Sequence, residues 1–151
     1  MSPMTKKGPE TPRYAGAAMK RAQFDDVDLS EARFHDVRLA SSDLDDVSFE
    51  GARIHNATFA EAKLDDVSFE RAHLHNATFS QATLDDVAMV EAGVSNANLE
   101  KSRWSDVSLR GARFEDADLR DVAIVGSNIE GLTIDGVRID ELLAKARPER
   151  Q

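Results

Sequence analysis

The chain has no cysteine. That excludes disulfides, thiolate metal sites and cysteine nucleophiles. No stretch approaches the roughly 20 consecutive apolar residues of a membrane-spanning helix. The N-terminus is basic without an apolar core segment, so no secretory signal is expected and the cytoplasm is the default compartment. No phosphate-binding loop, dinucleotide fingerprint or zinc-ligand spacing occurs. There are 19 basic residues against 28 acidic ones, and the formal charge is −9. The basic side is local: Lys6, Lys7, Arg13, Lys20 and Arg21 face only Glu10 within residues 1–21. The body of the chain is strongly acidic. An acidic body repels nucleic acid and membrane surfaces and attracts basic protein surfaces.

What is present is a repeat. From Phe24, every fifth residue up to Ile139 is large and apolar, 24 positions that include all seven Phe and the single Trp104. Two residues before each stands a small residue, Ala twelve times, Val eight, Ser three (Ser42, Ser102, Ser127) and Leu once. The other positions are nearly all polar. Five residues advance about 140° on a helix, which smears the apolar residues around the axis. On a flat strand an odd step alternates faces. The pattern fits a chain that turns every five residues. Small and large residues share the inner face of a short extended segment, and the next two residues form a corner. A longer period sets the number of sides. Residues 44–63 and 64–83 match at fourteen of twenty positions. Twenty residues are four pentads, hence a four-sided coil, and the 24 pentads make about six coils.

Segments such as Ala57-Thr58-Phe59, Ala97-Asn98-Leu99 and Ala117-Asp118-Leu119 resemble the pentapeptide-repeat family, and the likeness runs through residues 22–139. The resemblance implies an all-β fold, a right-handed quadrilateral parallel β-helix. On this reading residues 1–21 are a flexible basic lead, 22–139 are the β-helix, and 140–151 hold a short C-terminal capping helix with its tail. Asp140 is the expected N-cap, Pro148 the stop, and Leu142, Leu143 and Ala146 the residues laid on the last coil or on a second copy. Tyr14, Ala17, Ala18 and Met19 are the candidates for covering the other end.

Residues twenty apart form columns on the surface. One corner reads Asp25-Asp26, Asp45-Asp46, Asp65-Asp66, Asp85-Asp86 and Ser105-Asp106. Three readings of this acidic ladder arise. Divalent cations between the Asp pairs are the least favoured, because nothing encloses a site, and two readings of the ladder stand. It mimics the phosphate backbone of a nucleic acid and docks on a basic protein groove, or Asp simply suits tight turns and keeps the surface solvated. The opposite corner carries His35, His55 and His75 above Asn56, Asn76 and Asn96, with Arg33, Arg53, His73 and Arg113 alongside. That side is less acidic. Exposed turn residues explain the histidines better than a metal ladder does, so no metal and no cofactor are expected. A core filled by Phe and Leu leaves no pocket, and the buried serines lack a base, so the chain is read as non-enzymatic.

The resemblance extends to members that act as DNA mimics for type II topoisomerases, some of which protect gyrase. It implies a protein with a basic surface as partner, DNA gyrase among the candidates. Direct nucleic-acid or membrane binding is not expected, and the chain would be a monomer or a C-terminal homodimer. The alternative is a structural or adaptor scaffold without mimicry, presenting the face of Ser30, Glu50, Glu70, Val90 and Arg110.

Overall fold

A computed structural model describes residues 12–147. They form a right-handed quadrilateral β-helix of about six turns followed by one short helix. Its strands lie in two parallel sheets on opposite sides of the coil. Sheet A holds β1 (Arg13–Ala15), β3 (Arg33–Arg38), β5 (Arg53–Thr58), β7 (His73–His75), β9 (Gly93–Ser95), β11 (Arg113–Glu115) and β13 (Thr133–Ile134), closed by an antiparallel β14 (Val137–Arg138). Sheet B holds β2 (Gln23–Asp28), β4 (Asp43–Ser48), β6 (Lys63–Ser68), β8 (Thr83–Asp85), β10 (Arg103–Ser105) and β12 (Ala123–Val125). Register follows the period of twenty, Phe34 opposite Ile54 and Leu44 opposite Leu64. The two remaining sides are joined by single bridges such as Thr58–Thr78 and Ser68–Ala88.

The inward positions are those of the five-residue step. Phe49, Phe59, Phe69 and Phe79 are each at most 1% exposed. Phe49 stacks on Phe69 at 4.9 Å and Phe59 on Phe79 at 4.8 Å, with edge contacts of 6.0–6.1 Å between the two stacks. The small residues Ala52, Ala62, Ala72 and Ala82 are buried beside them. Ser42 links coils, donating to the Met19 carbonyl at 2.9 Å and accepting from the Ala22 amide at 3.2 Å. Ser102 accepts the indole N–H of Trp104 at 2.8 Å and donates to the Leu99 carbonyl at 2.6 Å. These hydroxyls complete buried hydrogen bonding.

The corner has a conformational signature. The second residue after each large one has positive φ throughout the repeat, for example Asp26 (54°), Asp46 (53°), Asn56 (54°), Glu61 (58°) and Asn96 (51°). Left-handed backbone is costly for most side chains and cheapest for Gly, Asn and Asp. Gly51, Gly111, Gly126, Gly131 and Gly136 occupy this same position.

Both ends differ from the expectation. The coil starts before Ala22: Tyr14 and Met19 continue the five-residue step backwards, β1 pairs with β3, and Tyr14 stacks on Phe34 at 4.9 Å. Residues 13–21 are therefore part of the repeat rather than a flexible lead, while residues 1–11 lie outside the described residues. At the other end α1 spans Ile139–Ala146 with Arg138 at the N-cap, two residues earlier than a start capped by Asp140. Asp140 accepts instead from the amides of Gly131 and Glu141, both at 2.9 Å, and pairs with Arg138. Its carboxyl is held far below the ordinary range, by the Arg138 hydrogen bond first and the Gly131 amide second. Contact with the last coil runs through Asp140 and half-buried Ile139, whose amide donates to Leu132. Leu142 (52% exposed), Leu143 (41%) and Ala146 face outward, so they do not cover the coil. The Pro148 stop lies outside the described residues.

Candidate binding face

Sheet B and the corner that follows it carry the acidic ladder in two columns. Asp25, Asp45, Asp65 and Asp85 stand on the strands, directly paired in register. Asp26, Asp46, Asp66, Asp86 and Asp106 stand at the left-handed corner one residue on. All nine are exposed. Only Asp85 has a side-chain partner among the described residues, the Ser105 hydroxyl at 2.8 Å. The corner column forms one wall of an open groove of about 380 Å³ that runs along the rod. Ser48, Ser68 and Ser108 line its other wall. Those serines were not singled out from sequence, although the period of twenty aligns them in one column with Asp28 and Ala88.

Like charges stacked at strand spacing, about 4.8 Å, repel. Asp46 and Asp65 are both held above the ordinary carboxylate range. Local desolvation is the larger cause, followed by the charges of Asp26 and Asp66 on Asp46 and of Asp45 and Asp85 on Asp65.

The opposite corner supplies an internal comparison. There the same left-handed position holds Asp36, Asn56, Asn76, Asn96 and Asp116. The amides form a ladder: Asn56 donates to Asp36 and Asn76 to Asn56, each at 2.9 Å, and Asn96 donates to Asn76. The bond from Asn56 is the main reason the Asp36 carboxyl is held below its ordinary range. The histidines stack alongside, His35 on His55 at 5.0 Å and His55 beside His75 at 5.2 Å. Their rings lie one above another and do not converge on a point. His35 meets Asp36 and His75 meets Ser95, each at 2.9 Å, whereas the buried Nδ1 of His55 has no hydrogen-bond partner.

The C-terminal end is apolar. Ile124 (40%), Val125 (66%) and Val137 (50%) are exposed together with Leu142 and Leu143. The outer edge of β12 has no strand partner among the described residues. Ile124 obeys the five-residue step, so the repeat alone marks it as core. Its exposure follows because no further strand covers β12 on sheet B among the described residues. No helix among the described residues is long and apolar enough to cross a membrane.

These features define a rod-shaped β-solenoid built of five-residue units, with surface columns in place of a cleft. Residues 13–87 and 52–134 match the family described as the pentapeptide repeat region. The chain belongs to the pentapeptide repeat family, whose members are generally structural or interaction modules. Three solved structures illustrate its neighbours. The pentapeptide repeat protein Rfr23 of the cyanobacterium Cyanothece 51142 is 16% identical over 82% of this chain and 91% of its own, with a TM-score of 0.44. A pentapeptide repeat protein of the Arabidopsis thaliana thylakoid lumen is 26% identical over 70% of both chains, with a TM-score of 0.47. QnrB1, a plasmid-mediated fluoroquinolone resistance protein, is 14% identical over 91% of this chain and 98% of its own, with a TM-score of 0.41. No curated protein matches the chain.

Proposed function

We propose that this protein is a non-enzymatic binding module of the cytoplasm whose acidic ladder occupies a basic, nucleic-acid-binding groove of a partner protein, acting as a DNA mimic. One observation carries the reading. Asn and Asp are equally suited to the left-handed corner. The corner opposite shows that Asn there gains a hydrogen-bonded ladder. Five successive aspartates at the equivalent position forgo that ladder and accept mutual repulsion. The turn requirement therefore does not account for them, and a cationic partner does. Charges repeated at one-coil spacing present a regular anionic array.

The resemblance to gyrase-interacting members makes DNA gyrase the partner to test. Purified protein should inhibit gyrase supercoiling. The Asp46→Asn, Asp66→Asn, Asp86→Asn variant keeps the corner conformation and should lose inhibition. A folded wild-type protein without effect on gyrase would refute that partner. A variant as potent as wild type would refute the ladder as its site.

We further infer that two copies join at their C-terminal ends. The β12 edge and the exposed Ile124, Val125, Leu142 and Leu143 leave apolar groups uncovered at this end, of the kind that a symmetric contact covers.

A further inference from the structure

The face opposite the acidic ladder is a second interaction surface. Sheet A carries an outward column one residue before each large residue: Arg13, Arg33, Arg53, His73 and Gly93, paired in register on successive coils. Its four side-chain-bearing members are exposed, and neither Arg33 nor Arg53 makes an ion pair among the described residues. On sheet B the column one residue after each large residue reads Asp25, Asp45, Asp65, Asp85 and Ser105. On sheet A three arginines and a histidine are followed by Gly93, Arg113 and Thr133, and on sheet B four aspartates are followed by Ser105 and Val125, so the charge match covers the first four rungs.

The coil relates the two columns spatially. The sheets lie half a turn apart, so their strands run in opposite directions. A residue before the large one on sheet A and a residue after it on sheet B therefore sit at the same lateral position on opposite faces. Sliding one copy sideways by a rod's width places the basic column of one directly against the acidic column of the next. Both columns share the coil repeat of about 4.8 Å. The half-coil axial offset is within the reach of an arginine side chain. A partner presenting carboxylates at this spacing is a second copy of this chain.

We propose that the protein associates side by side through sheet A of one copy and sheet B of the next. The contact is heterologous, so it leaves a free face of each kind and is open-ended. It covers Asp45, Asp65 and Asp85 and thereby competes with any basic partner for the ladder. The net charge of −9 does not oppose it at physiological salt. The like-charged faces then stand a rod's width apart, beyond the Debye length of about 8 Å. The inference is independent of the gyrase reading and of the C-terminal pairing.

Sedimentation velocity of the full chain tests it. In about 0.1 M salt the average mass should rise at least two-fold across a concentration series, and the rise should vanish in about 0.5 M salt, where screening is short-ranged. The end-to-end contact is apolar and persists in salt, so the two are distinguished. Arg33→Glu with Arg53→Glu should abolish the rise, as should Asp45→Lys with Asp65→Lys. Mixing these two variants, each shown folded by circular dichroism, should restore association, because one is then acidic on both faces and the other basic on both. A wild-type mass independent of salt and concentration would overturn the proposal, as would a mixture that fails to pair. Capture of duplex DNA by the Arg33–Arg53 face of an unassociated wild-type chain would overturn it too, assigning that face to a polyanion.

Discussion

Phe69 is the most demanding test of the fold. It is fully buried and stacks on Phe49 at 4.9 Å with an interplanar angle of 3°. It also meets Phe59 and Phe79 edge-on at 6.0 and 6.1 Å. Phe69→Ala removes a ring from the axis, and the hydrogen-bonded coils above and below hold the walls apart. Burial and cavity terms together cost about 3–5 kcal/mol. Three lost aromatic contacts place the value in the upper part of that range. At roughly 2–4 °C per kcal/mol for a chain of this size, the melting temperature falls by about 8–20 °C. Phe69→Leu keeps most of the volume and should cost about 1.5 kcal/mol or less, in line with volume-conserving swaps. Ile124→Ala, at a position already 40% exposed, should cost less than about 2 kcal/mol although it belongs to the same five-residue series. Urea denaturation followed by circular dichroism measures all three. A loss under about 1.5 kcal/mol for Phe69→Ala, or an equal loss at Ile124, would refute a rigid axis packed most tightly at mid-rod.

Four further outcomes follow from the surface and the buried polar groups. Asp46→Asn, Asp66→Asn, Asp86→Asn should melt higher than wild type at pH 7. The advantage should close as pH falls toward 4, because the Asp46 carboxyl, held above its ordinary value, weakens the fold at high pH and ceases to do so once protonated. Wild type should itself lose stability at still lower pH. There Asp118 and Asp140, held low by their bonds to Arg120 and Arg138, give up the stability they contribute above the ordinary carboxylate range. A melting-temperature profile against pH checks both senses. Ser102→Ala should cost about 1–3 kcal/mol by stranding the buried indole N–H of Trp104, read by urea denaturation. Leu142→Glu with Leu143→Glu should leave the melting temperature of the isolated rod nearly unchanged and halve the mass in high salt by light scattering. An unchanged mass at the size of a dimer would refute the C-terminal contact.

The architecture was legible because one rule governs it. A large residue every fifth position and a near-copy every twentieth leave only a four-sided coil. The ends were less legible, since the rule does not announce where it starts or stops. Tyr14 and Met19 obey it, yet the basic residues around them read as a tail. Leu142 and Leu143 have the spacing of an inward helix face, and spacing cannot say whether that face meets its own coil or another molecule. Asp140 has the residue type of an N-cap, and a longer-range bond to the Gly131 amide takes it instead.

The candidate site was legible as columns but not as chemistry. The left-handed corner accepts Asn, Asp and Gly alike, so the fold places no demand on charge there. For that reason the choice among them carries information. Where the corner needs only conformation and cohesion, Asn56, Asn76 and Asn96 hold one another. Where it holds Asp26, Asp46, Asp66, Asp86 and Asp106, nothing in the same chain satisfies the charge among the described residues. A solenoid has no cleft in which to gather distant residues, so its recognition must be written in such columns. Replacing Asn56, Asn76 and Asn96 by Asp puts this to the test. The corner geometry should survive while the ladder breaks, and the melting temperature should fall at pH 7 and recover toward pH 4. A variant as stable as wild type at neutral pH would show that the corner is indifferent to charge. The aspartates opposite would then need no partner to explain them.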